Sequence, residues 1–595
     1  MCRIAGIIDQ NQDPAQLEED VRAMCDSMKH GGPDDEGFFA DRKIGLQFGH
    51  RRLALIDLSP AGHQPMPYNH GTLIITFNGE IYNYQELKAE LITLGLTFHT
   101  QTDTEVILAA YQTWGTASFS RLVGMFAFAI YDQLKQITHL VRDQMGIKPL
   151  YFSTADARLI FASEVKAFRK TSYKFEENAH WKVYFLAFGH IPHPFTTIEN
   201  VRSLSPAHFL TWDHGQQTFQ ISSFENIELK KSIFNDQEAK KKIEQELTKA
   251  VNHQLIADAP VGVFLSGGID SSIITLIANQ KVGSNLNSLS INFEEKQFSE
   301  AQFQQRVADQ TSGTHHSYQV NKNDLEVHFN DILSAMDQPT NDGINSWFVN
   351  RYAKADGLKA VLSGIGADEL FDGYPSFKRM KLIQKLKRFP NFLLKSATFL
   401  PSERLKRIAY LSYQNPIGEY LFLRGFFVPE TIAKILQIDK HHVDKLIEAF
   451  PIGKSLGLLL GEERASWMEI HLFMQNQLLK DTDFMSMSHG VEVRVPFLDQ
   501  HFMDGVSSVA NKQRFQDKPK GILIEAFKNI LPEIIWNRPK MGFTFPLQQW
   551  FQHGNLITNE NHYSGYSLQL IRKFKTGKLH WSKAFALFQI ANSKS

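Results

Sequence analysis

Short apolar or alternating runs separated by turn residues dominate the first 222 positions: CRIAGII, KIGLQFGH, LIITFNG, MFAFAIYD, ITHLVRD, PLYFS, RLIFAS and HFLTWD. Such runs predict strands. Two stretches of longer period, 84–95 (YQELKAELITLG) and 103–114 (DTEVILAAYQTW), predict helices between them. That order suits two sheets with helices outside them. From about residue 236 the rhythm changes: Ile243, Leu247, Val251 and Leu255 fall four apart, on one helix face. Strand and helix then alternate through VGVFL, SSIITLIANQ, LNSLSINF, a helix around 300–311, and KAVLSG at 359–364. Alternation of this kind predicts an α/β doubly wound parallel sheet. Beyond about residue 377 the pattern is mostly helical. The polar junction at 223–235 (SFENIELKKSIFN) divides the chain into domains at 2–222 and 236–595.

At 595 residues the chain is too long for one hydrophobic core. Lys+Arg and Asp+Glu both number 63, so no global charge draws the protein to nucleic acid or membrane, and neither is expected as a partner. No apolar run approaches the ~20 residues that span a bilayer, and the start of the chain lacks a secretory pattern. Cys2 and Cys25 are the only cysteines. A disulfide framework is thereby excluded, and a reducing, cytoplasmic location is expected. Neither CxxC nor HExxH occurs, so no structural zinc is indicated.

SGGIDSS (266–272) lies between the apolar run VGVFL and a helical stretch. Glycines let a backbone approach phosphate closely, and the helix N-terminus behind them favours an anion. Ser266, Ser271 and Ser272 add hydroxyl donors. Asp270 would be repelled by phosphate unless it held a cation, and is assigned to Mg²⁺. The spacing is not that of the common P-loop; it resembles the pyrophosphate-binding loop of ATP pyrophosphatases. A second loop, LSGIGADELFDGY (362–374), again sets acids after a strand. Asp368 there is the second expected Mg²⁺ ligand.

Cys2 follows the initiator Met directly. Removal of that Met would leave the thiol beside a free α-amine of pKa ~8, a usable general base. HRRLALIDLSPAGHQPM, FNGEIYN and TDTEVI could supply the rest of a glutaminase. Arg52 can grip a carboxylate bidentately. Asn78 and the Gly79 N–H can form an oxyanion hole, and Glu80 and Asp103 can hold an ammonium.

With CRIAGI, RLALIDL…GHQPM, FNGEIYNY, TDTEVI, GMFAFAIYD, GIKPLYF, FASEVKAF, VGVFLSGGIDSS, SGIGADELFDGY, HGVEVRVPFLD and RPKMGFTFPLQQWF in this order, the chain resembles the glutamine-hydrolysing asparagine synthetase family over nearly its whole length. The resemblance implies an N-terminal α+β domain, a four-layer αββα sandwich of the N-terminal nucleophile hydrolase type, followed by an ATP-dependent synthetase domain with added helices. It implies Cys2 as nucleophile, and glutamine binding by Arg52, Leu53, Ala54, Leu55, Ile56, Asn78, Gly79, Glu80 and Asp103. ATP would be held by Phe264, Ser266, Gly267, Gly268, Asp270, Ser271, Ser272, Ile291, Ser363 and Gly364. Lys540 would steady charge during adenylation, and ammonia would travel inside the protein. The implied small-molecule substrates are glutamine, ATP and aspartate or another acid; a homodimer is compatible with the resemblance.

The family usually has Glu where this chain has Ile365, a position also changed in a related enzyme that cyclises a β-amino acid. Isoleucine neither accepts a proton nor binds an ammonium, so the acceptor stays open between aspartate and another small acid, such as a sugar carboxylate. Further departures are HGGPDDEG (30–37), RDQMG (142–146) and Phe484, where arginine is common. Residues 378–407 carry ten Lys/Arg and one acid, Glu403. Such a stretch can form a nucleic-acid patch, but Leu382, Ile383, Leu386, Phe392, Leu393 and Leu394 need burying, which favours amphipathic helices with solvated lysines.

Overall fold

The computed structural model describes residues 2–224, 231–542 and 544–593. The expected junction at 223–235 lies partly outside them, and so does the fate of Met1. One six-stranded sheet runs, edge to edge, Arg202–Ser203, Tyr151–Ser153, Leu159–Ala162, Arg3–Ile8, Leu46–Arg52, Asp35–Asp41. A second runs Thr218–Ser223, His208–Asp213, Ile137–Arg142, Gly124–Asp132, Leu73–Ile81, Met66–Tyr68. All their pairings are antiparallel.

Period-two patterning explains how these sheets stack. Ile4 and Ile8 face Ile74, Ala127, Leu140 and Trp212 of the other sheet in one core. Ala5 and Ile7, on the opposite face of the same strand, pack on Leu17, Val21 and Met24 of helix Pro14–Ser27. The outer face of the second sheet, with Ile75, Phe77 and Phe128, is covered by helices Tyr84–Thr93 and Asp103–Trp114. The result is four layers, αββα.

The third sheet is parallel throughout, in the order Thr314–Val320, Asn287–Phe293, Val261–Phe264, Ala360–Leu362, Glu492–Arg494. Its winding reverses between Val261–Phe264 and Ala360–Leu362, and a crevice opens there at the strands' C-terminal ends. SGGIDSS follows the first of these strands and SGIG the second.

Among the described residues beyond 374, the elements are helices except for strand Glu492–Arg494. One continuous helix runs through Gly461–Met468, a π-wound middle at Glu469–Leu478, and Leu479–Met487. Phe484 on its last part enters the core under the first sheet, beside Ala5 and Tyr151. The basic stretch departs from expectation. Ile383 and Leu394 are buried, but Leu382, Phe392 and Leu393 are 45%, 70% and 46% exposed. Helix Asn391–Ser396 has only six residues, too few to bury more than one narrow face.

Candidate active site

Cys2 opens strand Arg3–Ile8. It is 6% exposed; its N–H donates to Asn78 Oδ1 at 3.1 Å, and its Sγ lies 4.0 Å from the Leu53 carbonyl oxygen. Burial pushes the thiol pKa up, so Cys2 would need a base in order to act as a nucleophile. Asn78 Nδ2 is buried with no hydrogen-bond partner, a spare donor within the same constellation. Gly79 has φ +154, and a Cβ there would meet the Met125 carbonyl oxygen at 2.1 Å, so only glycine fits beside it.

Arg52 ends strand Leu46–Arg52 and is fixed by backbone carbonyls, donating to Ser59 O at 3.0 Å and Asp57 O at 2.5 Å. Asp103 accepts from the Ile81 N–H at 2.9 Å, and burial pushes its carboxyl up to about 6. Burial and the neighbouring Asp103 also raise Glu80. Leu53 packs on Met487, and Leu55 packs on Ala259 and Ala360 from the second half of the chain.

Two arginines tie this constellation to the second half. Arg3, adjacent to Cys2, pairs with Glu164 and with Asp483 of helix Leu479–Met487, both at 2.8 Å and all fully buried. Arg494 pairs with Glu492 at 2.6 Å and lies 3.6 Å from Glu80. Neither link was foreseen from the sequence.

A cavity of about 1250 Å³ occupies the sheet's crevice. Phe264, Ser266, Gly268, Asp270, Ser271, Ile291, Ser363, Gly364, Ile365, Asp368 and Lys540 all line it. Gly267 and Ser272 stand off its wall. Gly267 O accepts from Arg538 at 2.9 Å, and the buried Ser272 hydroxyl turns back to Gly268 O at 2.7 Å. Gly364 lets the two loops meet: a Cβ there would sit 2.9 Å from Asp270 Cβ and 3.2 Å from Ser271 N.

Asp270 and Asp368 come together around one cation, the Lys520 ammonium, 2.5 Å from an oxygen of each. Lys540 adds a contact to Asp368 at 2.7 Å and another to Gly373 O at 2.9 Å. Lys520 is the main residue the sequence reading missed. The two carboxylates hold its ammonium firmly charged. Burial alone would raise Asp368, but Lys520 and Lys540 draw it down to about 2.

Asp270 Oδ1 is buried and unpartnered, so a coordinating oxygen is spare. Among the described residues no three His, Cys, Asp or Glu side chains form a metal cluster. Two carboxylates completed by phosphate oxygens is the set that suits Mg²⁺.

A buried cysteine with oxyanion donors, and a phosphate-type cavity joined to it through one helix, define a glutamine-dependent amidotransferase with a synthetase half. The family comparisons agree: a glutamine amidotransferase domain matches residues 1–224 and an asparagine synthase domain matches residues 242–563. The chain is 31% identical over 569 residues to asparagine synthetase [glutamine-hydrolyzing] 1 of Bacillus subtilis, covering 93% of this chain and 88% of that one. It is also 31% identical to asparagine synthetase [glutamine-hydrolyzing] 3 of that organism, covering 91% and 87%. Amidase chry2 of Gibberella zeae is 28% identical, covering 92% and 90%. The chain belongs to the asparagine synthase family of glutamine-hydrolysing enzymes.

Proposed function

We propose that the chain hydrolyses glutamine at Cys2 in its N-terminal domain and amidates, at the cavity, an acid activated with ATP. Arg52 grips the glutamine carboxylate, and Glu80 with Asp103 receives its ammonium. The Cys2 thiolate attacks the amide carbon while Asn78 Nδ2 and the Gly79 N–H take the oxyanion. The α-amine of Cys2, free once Met1 is removed, takes the thiol proton and returns it to the amide nitrogen as the C–N bond breaks; ammonia leaves, and water then hydrolyses the thioester to glutamate and the free thiol. In the second half, the SGGIDSS backbone and Lys520 face the ATP phosphates, and Asp270 and Asp368 would hold Mg²⁺. Mg²⁺ supplies charge neutralisation at the phosphates. Lys540 steadies charge during adenylation. The observation that carries this reading is helix Leu479–Met487: Asp481 and Thr482 line the cavity, while Asp483 pairs with Arg3 beside Cys2.

Aspartate is the acceptor suggested by the family, and the cavity supports part of that choice. Asp342 and Asp481 line the same cavity as Ile365, and among the described residues neither is in an ion pair. Thr340 donates to Asp481 Oδ2 at 2.8 Å. Burial and Asp342 raise the Asp481 pKa strongly. Two such acids call for a substrate ammonium, the role Ile365 cannot fill. Lys520, Lys540 and Arg538 gather at the phosphate end, and Lys512 and Lys518 are exposed at the rim. This distribution favours a second reading, an amino acid without a second carboxylate.

Pyrophosphate release with ATP, Mg²⁺ and glutamine separates the readings. Stimulation by aspartate but not succinate supports aspartate. Stimulation by β-alanine and not aspartate supports the second reading. Stimulation by succinate as strong as by aspartate would overturn the ammonium assignment.

A further inference from the structure

Residues 382–405 expose Leu382, Phe389, Phe392, Leu393, Phe399 and Leu405, between 44% and 89% each. The segment is folded: Leu394, Ala397, Tyr410 and Leu411 are buried beneath it, and Ser402 caps helix Glu403–Lys406. A chain that buries these four side chains yet presents Phe389, Phe392 and Phe399 to water within one short segment offers apolar side chains to a partner.

The unpaired charges of that segment are of one sign. Lys381 pairs with Glu462 and Lys387 with Glu419. Glu403 accepts from Thr431 at 2.6 Å and lies 3.9 Å from Lys583. Lys378, Lys385, Arg388, Lys395 and Arg404 are exposed and enter no ion pair among the described residues. Exposed Phe and Leu interleaved with unpaired Lys and Arg form the pattern of a segment that lies in a membrane interface. Aliphatic Leu382, Leu393 and Leu405 offer no ring on which a base could stack, whereas acyl chains accept Leu and Phe alike. A second copy of this chain would bring five more unpaired cations against the first five, which repel. Among the described residues no helix is long and apolar enough to cross a membrane; lying on one needs none.

We propose that residues 378–407 dock the enzyme on an anionic lipid surface, Phe389, Phe392 and Phe399 entering the headgroup region and the five free cations meeting lipid phosphates. Both catalytic sites lie elsewhere in the chain and stay in water.

Sedimentation of the full-length protein with vesicles tests this. The expected result is binding to phosphatidylcholine vesicles containing phosphatidylglycerol, much weaker binding to phosphatidylcholine alone, and release as salt rises. Each basic residue at such a surface contributes roughly 5-fold in affinity. The triple variant K385E/R388E/K395E should therefore bind at least about 100-fold more weakly. F392D/F399D should abolish binding. Both variants change exposed side chains and should keep the wild-type thermal midpoint and glutamine-dependent pyrophosphate release, which shows that the half carrying them is folded. Equal binding to both vesicle types, or none, would overturn the proposal. So would a wild-type dimer that F392D/F399D turns into a monomer, because a second copy would then cover the face.

Discussion

Replacing Lys520 with methionine removes the one ammonium shared by Asp270 and Asp368 while nearly keeping its volume. The wild-type ammonium is 2.5 Å from each carboxylate and 6% exposed. Asp368, ordinarily at 3.8, is held at about 2. A carboxyl displaced that far carries about 2 kcal/mol of stability at neutral pH. Asp270 loses its partner too, and orphaning buried charges costs roughly 3–5 kcal/mol in total. The thermal midpoint of Lys520→Met in metal-free buffer should fall by roughly 5–10 °C.

The pH dependence has a definite sign. A depressed carboxyl stabilises above its unfolded pKa, so the Asp368 contribution is complete above about pH 4 and fades as pH falls toward about 2. The gap between wild type and variant should narrow over that window. Mg²⁺ should raise the variant's midpoint more than the wild type's, because the ammonium shared by both carboxylates is gone and only Lys540, on Asp368 alone, still competes. Differential scanning fluorimetry against pH and Mg²⁺ reads all three effects. A variant that melts with the wild type in metal-free buffer, or gains no more from Mg²⁺, would refute the shared-cation reasoning.

Cys2→Ala should abolish glutamine-dependent product while leaving the reaction with free ammonia intact; loss of both would mean that the two sites are not separable. Gly364→Ala pushes a methyl to 2.9 Å from Asp270 Cβ, and pyrophosphate release should drop at least about 10-fold, with glutaminase turnover unchanged. Asp483→Ala leaves the buried Arg3 with Glu164 alone, and should cost about 3 kcal/mol in denaturant unfolding. An unchanged midpoint would show that the link between the halves is not energetic.

The parts legible in the sequence are those where backbone geometry restricts residue choice. FNGE and SGGIDSS stand out because Gly79 and Gly267 adopt φ +154 and +85, and the loops sit at strand ends where apolar patterning stops. Lys520 gave no such signal. It lies in KPKG among many lysines, and only the fold brings it 2.5 Å from two distant acids. Strand Glu492–Arg494 escaped notice because two of its three residues are charged. They can be buried only because they pair with each other and approach Glu80. Thr314–Val320 reads as polar because it is an edge strand with one wet side. The burial expected for Leu382, Phe392 and Leu393 failed because periodicity shows which residues share a face, not whether a neighbour exists to cover it.

The pairing of Arg3 with Asp483 also bears on synthesis of the chain. Residues 2–222 leave the ribosome some 260 positions before Asp483, and Arg494 comes later still. A nascent N-terminal half therefore carries its thiol before the charges that brace it have been made. The last charges that brace the strand next to Cys2 arrive only with the last strand of the parallel sheet, so the N-terminal half reaches its final set of contacts after the second half has folded.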